Sequence, residues 1–264
     1  MKLRIAVLPA VLVLAANGQP PAPDATERKA IASRMQQAAL AYIDGLQNFT
    51  CTQFLTRTAG NSPTGPHWKL LDTQEAELDY VDRKEQYTLL KVNGESTDPA
   101  KRIKRGPYLT PGGEFASRLL KIFDPKAHAE FDWDHEETAG AHTCVFRYNV
   151  PQATSTEIIH ADQDHVQVGH HGMVWANCDT GAVTRFQLES DIGEVVRIGR
   201  RMQVGFRTEV RYAPTAIGSQ EFLLPQSATV MALFYKTWTK VEIQYRQYRK
   251  YDSNSVVKFG DGKD

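Results

Sequence analysis

Met173-Val174-Trp175-Ala176-Asn177, then Cys178-Asp179-Thr180-Gly181, then Val183-Thr184-Arg185-Phe186-Gln187-Leu188-Glu189 is the stretch on which the fold reading turns. The first segment runs into Asp179-Thr180-Gly181, and the last runs back out. Gly181 supplies the positive φ that a tight connection requires. Two strands joined so closely are antiparallel neighbours, so the unit is a β-hairpin.

The same period of two recurs on both sides of it. Downstream, residues 207–212 and 221–224 flank Ile217-Gly218 as another hairpin. Residues 238–248 alternate Val241, Ile243 and Tyr245 against Lys240, Glu242, Gln244 and Arg246. Upstream, His142, Cys144, Phe146, Tyr148 and Val150 share one face, and Thr143, Val145, Arg147 and Asn149 the other. Phe49, Cys51, Gln53 and Leu55 alternate with threonines, which suits a strand with one wet face. Residues 70–78 and 86–92 read as further strands, with a turn at Asn93-Gly94.

Two segments break the rhythm. Asp24 or Thr26 can cap a helix, Glu27 stands three residues after Asp24, and Ile31, Met35, Ala38, Tyr42 and Leu46 follow as one apolar stripe. Phe115, Leu119, Leu120 and Phe123 fit a short second helix within residues 112–123, ended by Asp124-Pro125. The expected fold is therefore mainly β with α, an α+β protein built on one antiparallel sheet. A sheet of about ten strands must curl, and the two helices are the obvious cover for its concave face.

Residues 1–18 read as an address. Two basic side chains precede an apolar run from Ile5 to Ala16, and Ala16-Asn17-Gly18 gives a small-residue exit. The apolar run is shorter than the roughly 20 residues a bilayer crossing needs, so the segment reads as a signal peptide. The expected mature chain begins near Gln19, with a Pro-rich linker over 19–23 and a single domain over 24–264. It is expected to be exported, periplasmic or secreted, with no transmembrane segment in the mature part. No cysteine follows the apolar run directly, so a lipid anchor is not expected.

Lysine plus arginine and aspartate plus glutamate number 31 each, so no net field favours nucleic acid. The basic cluster Lys101-Arg102-Ile103-Lys104-Arg105 has no interleaved aromatic platform and reads as a solvated loop. Cys51, Cys144 and Cys178 leave one disulfide plus a free thiol, or three thiols, both open. Cys144 and Cys178 lie in strand-like segments and are candidate neighbours. Cys51 reads as a packed strand residue rather than a nucleophile.

The histidine-rich run tempts a metal reading. His160, Asp162, Asp164 and His165, followed by His170 and His171, echo the zinc-binding H-x-H-x-D-H of metallo-β-lactamase-type hydrolases. The echo departs where Asp162 replaces the second histidine, and no histidine follows His171. His160, Asp162, Asp164, His165 and His170 are the candidate ligands, and a solvated loop between strands is the simpler reading. The acidic run Asp132-Trp133-Asp134-His135-Glu136-Glu137 could supply paired carboxylates, but adjacent acids usually form a loop. No nucleophile elbow, P-loop or dinucleotide fingerprint occurs, so no catalytic residue and no cofactor is assigned. Aromatic surplus is the better lead. On a curled sheet, Phe115, Leu119, Phe146, Tyr148, Trp175 and Phe186 are the candidate walls of an apolar ligand cavity, with plain core as the alternative.

The segment from Gly172 to Phe186, with Val210-Arg211-Tyr212, Gly218 and Leu223-Leu224-Pro225, resembles the outer-membrane lipoprotein carrier and sorting proteins. The amino-terminal domain of periplasmic sigma-factor regulators is similar. Leu46, Asn48, Phe49, Thr50 and Cys51, and the ending Tyr248-Arg249-Lys250-Tyr251 with Ser253 and Ser255, look like a group of exported bacterial proteins. The resemblance implies a half-barrel whose helices lid an apolar cavity that holds acyl chains in the carriers. A lipid or acyl ligand is then the first expectation for function. A periplasmic interaction or sensing module, with an envelope protein as partner and a self-filled cavity, is the second, and a metal-dependent hydrolase the third. Ligand identity and oligomeric state stay open at this level.

Overall fold

The computed structural model describes residues 23–98, 113, 115–137, 140–161, 164–197 and 199–251. The expected leader, most of the linker, the basic cluster 101–105, Asp162, Ser253 and Ser255 lie outside the described residues.

Helix α1 (Ala25–Gly45) begins where its sequence places a cap: Asp24 Oδ1 accepts from the Thr26 and Glu27 backbone N–H groups at 2.8 and 2.9 Å. Its buried line is Ile31, Met35, Ala39 and Ile43. The expected stripe drifts from this line after Met35, and Ala38, Tyr42 and Leu46 become half-buried flanks.

Strands β1 (Phe49–Gly60), β2 (Lys69–Val81), β3 (Lys84–Val92) and β4 (Glu95–Ser96) form a meander. Asn93 and Gly94 turn the last corner with φ of 51° and 83°. Helix α2 (Ser117–Phe123) follows, and Asp124 passes the chain into a 3-10 turn at Pro125–Ala127. Next come β5 (Glu130–Glu137), β6 (Thr143–Val150), the small hairpin β7 (Ile158–Ala161) with β8 (Asp164–Gln167), and β9 (His170–Asn177). The chain ends in β10 (Val183–Ser190), β11 (Gly193–Arg197), β12 (Arg200–Ile217), β13 (Gln220–Phe234) and β14 (Thr237–Lys250).

All but β7 and β8 join one antiparallel sheet in the order β4-β3-β2-β1-β14-β13-β12-β10-β9-β6-β5, with β11 on the first part of β12. β1 lies between β2 and β14, so the first and last long strands are neighbours. At the far ends, β4 and β5 do not meet each other, and the sheet is open.

Strand parity sends one face of this sheet toward the helices. Leu78, Phe146, Phe186, Val210, Val230 and Ile243 share a single core with Met35 of α1 and with Leu119, Ile122 and Phe123 of α2. The β9–β10 hairpin is tied to its neighbours at two points and braced within its own turn. A disulfide joins Cys178 to Cys144 of β6, and Cys51 stays free and buried. Arg34 Nη1 of α1 donates to the Cys178 carbonyl at 2.6 Å. Asn177 Oδ1 accepts from the Asp179 and Thr180 backbone N–H groups at 3.0 and 2.8 Å. Gly181 has φ +75°, and a Cβ there would stand 2.6 Å from the Arg34 carbonyl oxygen. Glycine is thus required twice over, by the turn and by the helix crossing it.

Three local expectations are corrected. The threonine face of β1 is not wet at its start: Thr50 and Thr52 are buried, and their hydroxyls donate to Asp79 Oδ1 and Gln247 Oε1 at 2.7 and 2.9 Å. The acidic run is no loop but the edge strand β5, where alternation with Phe131 and Trp133 outweighs its charge. The histidine run is no loop either: His160 pairs with His165 across the β7–β8 hairpin.

Candidate functional site

The expected cavity residues divide by face. Phe115, Leu119, Phe146, Tyr148 and Phe186 are all buried in the one core, against each other's neighbours. Phe115 is the hub of an aromatic group, with ring centroids 5.0 Å from Phe49, 5.3 Å from Tyr245 and 6.2 Å from Tyr80. Trp175 is not with them. Val174 and Ala176 face the core, so the period of two turns Trp175 to the opposite face. There the Arg185 guanidinium lies 4.0 Å over its ring, and its Nε1–H donates to Glu137 Oε1 at 3.0 Å.

Within this aromatic core sit polar atoms with nothing to bond. The Tyr42, Tyr80 and Tyr148 hydroxyls, Gln53 Nε2 and Thr208 Oγ1 are buried and find no hydrogen-bond partner among the described residues. Gln53 and Thr208 are 1% and 0% exposed, so water does not reach them from outside. Such groups cost stability unless something polar meets them. Burial raises the phenols of Tyr42 and Tyr148 well above the ordinary range. It also pushes the Cys51 thiol up to about 12, which removes the thiolate that nucleophilic work needs.

Helix α2, seven residues long, covers part of this core and is held down by polar ties. Arg118 Nη1 and Lys121 Nζ reach Glu157 Oε2 at 3.1 and 2.9 Å, and the Glu157 side chain is only 6% exposed. The Arg118 guanidinium also lies 4.7 Å from the Phe206 ring centroid. From α1, Gln36 Nε2 donates to the Phe123 carbonyl at 3.4 Å. Sequence reasoning missed Glu157, Arg118 and Lys121. They form no motif, and only the path of the chain between β6 and β7 brings them together.

The candidate metal ligands are not gathered. His160 and His165 are exposed, with ring centroids 6.0 Å apart, and Asp164 is beside them in the hairpin. His170 is fully buried in β9, 5.8 Å from the Tyr148 ring, with neither ring nitrogen bonded among the described residues. Burial holds its imidazole neutral down to about 4. Asp162 lies outside the described residues. The metal-like trio that does converge among the described residues is Glu136, His142 and Cys178, and Cys178 is spent in the disulfide. Hydrogen bonding to Asp134 raises the imidazole pKa of His135 on β5, and hydrogen bonding to Glu136 raises that of His142, just before β6.

A cleft of about 210 Å³ opens where the α1–β1 connection meets the β12–β13 turn. Leu46, Phe49, Ile217, Phe222 and Leu224 make its apolar walls, and Gln47, Asn48, Ser219, Gln220 and Lys250 its polar lining. Phe49 is shared with the aromatic core, since its ring stacks on Tyr80 at 5.2 Å. No expected cavity residue lines this cleft. Its walls come from turn residues, which strand alternation does not flag.

No family model matches the chain, and no curated protein is significantly similar to it. Among solved structures, it is similar to a LolA superfamily protein from Nitrosomonas europaea, at 11% identity over 84% of this chain and 94% of that one, with a TM-score of 0.34. A domain assigned to outer-membrane lipoprotein sorting from Vibrio parahaemolyticus matches at 12% identity over 88% and 95%, with a TM-score of 0.37. A DUF1329 family protein from Desulfovibrio piger matches at 10% identity over 86% and 92%, with a TM-score of 0.36.

Proposed function

We propose that this chain is an exported protein of the bacterial envelope that binds a lipid, an acyl chain or another apolar ligand without covalent chemistry. In this reading the sheet is strongly curved into a half-barrel, its helices cover the concave face, and the ligand lies between them. The observation that carries it is the combination in one core of a dense aromatic lining and polar atoms without partners. A core that only had to be stable would place leucine or phenylalanine at Gln53, Thr208 and Tyr148. A ligand with an apolar body and a polar part uses both kinds of group. Helix α2 is the element that would move: it is short, covers part of the core, and stays closed through the Arg118 and Lys121 ties to Glu157, which opening would have to expose to water.

Native mass spectrometry of protein released from the periplasm, without detergent, tests this directly. A bound acyl species, exchangeable with an added acyl probe, is the expected result. Folded protein that carries no lipid and takes up no probe would overturn the proposal.

One observation favours a second reading. Phe115, Phe146 and Phe186 are each no more than 1% exposed and fill the space between helices and sheet themselves. A self-filled interior suits an interaction or sensing module that holds an envelope protein at its rim or edge. The same spectra would then show a lipid-free chain, alone or with that partner.

A further inference from the structure

The cleft beside Phe49 holds a charged side chain on the apolar face of the sheet, and a backbone irregularity puts it there. Along β14, Val241, Ile243 and Tyr245 face the core. Strict alternation would send Lys250 outward. Gln247 interrupts it, with φ +57°, and the β1–β14 register shifts between Thr50 and Thr52. Two successive residues then turn outward: Arg246 lies over the Phe54 ring, and Gln247 accepts from Thr52 Oγ1. Tyr248 consequently joins the core, its ring 5.6 Å from Phe49. Lys250, paired with Phe49 in the register, follows onto the same side.

Among the described residues, Lys250 is the single ionic residue of the cleft walls, and it makes no ion pair with any of them. Around it are Leu46, Phe49, Ile217, Phe222 and Leu224. We propose that this cleft is the mouth of the ligand site and takes a single-chain amphiphile with an anionic headgroup, of which a fatty-acid carboxylate is the simplest. The Lys250 ammonium meets the carboxylate, and the first carbons of the chain lie on the apolar walls. A neutral headgroup would leave the ammonium partly desolvated without a counter-charge, and a cationic one would be repelled. A doubly charged phosphate calls for more donors than one ammonium offers. At about 210 Å³ the cleft is smaller than the 300–1,000 Å³ of a complete small-molecule site. It therefore accommodates the head and the start of the chain. The remainder continues past Phe49 into the core, and in that respect the inference rests on the reading proposed above.

Calorimetric titration with dodecanoate and with dodecanol, at low salt, separates the two ideas. Lys250 and Gln220 are both exposed, so Lys250→Glu and Gln220→Trp leave the core intact. Wild-type protein should bind dodecanoate more tightly than dodecanol. Lys250→Glu should weaken dodecanoate about tenfold, the scale of a partly exposed charge pair lost and then reversed, and leave dodecanol unchanged. Gln220→Trp, which crowds the mouth, should weaken both. Equal wild-type affinities for the two ligands, or no response to Lys250→Glu, would overturn the headgroup assignment while leaving apolar binding in place. Binding of neither ligand would overturn both.

Discussion

On the outer face of β9, β10 and β12, the Arg185 guanidinium lies over Trp175 and reaches Glu209 at 3.0 Å, Gln187 donates to Glu209 at 2.7 Å, and Arg207 meets Glu189 at 2.7 Å. Burial pushes the Glu209 carboxyl up, but Gln187 and the two arginines Arg185 and Arg211 outweigh it and hold the pKa below the ordinary carboxylate range. On the inner face of the same strands, Thr208 and His170 have buried polar atoms with no partner among the described residues. Residues one position apart along a strand therefore meet opposite conditions. The outer face offsets its charges by cross-strand ion pairs, although Arg185 Nε, at ion-pair distance from Glu209, forms no hydrogen bond among the described residues. The inner face gains its stability from apolar packing and carries its polar groups at a cost, which is the arrangement expected where structure yields to binding.

The sharpest way to break this comparison is to truncate a fully buried side chain of the inner face. Phe186 is fully buried, so Phe186→Ala should cost about 3–5 kcal/mol, read from chemical denaturation. A loss under about 1 kcal/mol would mean that the inner face is loosely packed and the contrast is false.

Acid is the next probe. The folded protein keeps His170 neutral down to about 4, whereas the unfolded chain protonates it from about 6.5. Its contribution is full above pH 6.5 and is lost as pH falls toward 4, by about 3 kcal/mol at 1.36 kcal/mol per unit. Glu157 and Asp191 favour the charged ring, Lys121 and Arg118 disfavour it, and desolvation dominates them all. His170→Phe should flatten stability between pH 6.5 and 4. An unchanged slope in that variant would place the acid sensitivity elsewhere.

Much of this was legible in the chain because alternation is a local signal. The β9–β10 and β12–β13 hairpins, the capped helix α1 and the inward set of β14 as far as Tyr245 all follow from spacing. Trp175 went astray because an aromatic reads as core wherever it stands, whereas its parity with Val174 turns it outward. Glu157 could not be found at all, since its partners Arg118 and Lys121 lie about forty positions away without a motif. Lys250 was hidden for a third reason. A positive φ at Gln247 resets the alternation, and side-chain composition does not announce it.

Smaller effects sharpen the contrast by reversing sign. If the unpartnered groups of the inner face are a burden on the empty protein, removing them stabilises it. Tyr148→Phe and Gln53→Leu should each raise stability by about 1 kcal/mol, from the desolvation no longer incurred. That corresponds to roughly 2–4 °C in Tm for a chain of this size. Both variants should also bind an acyl probe less well if those groups serve the ligand. Destabilisation by either one would show that partners exist and that the inner face is as satisfied as the outer.

The smallest effect belongs to the outer face. Arg207 and Glu189 are each roughly 40% exposed, so their attraction acts through water and must hold two long side chains in place. Arg207→Ala should therefore cost about 0.2–1 kcal/mol. It should cost less still in 1 M salt, where screening shortens to about 3 Å. Because Arg207 flanks Thr208 on β12, the variant also tests whether the two faces are independent. A loss above about 2 kcal/mol, insensitive to salt, would mean that the outer pairs set the register on which the inner face depends. The satisfied face would then be organising the unsatisfied one, and the two could no longer be treated as separate solutions on one sheet.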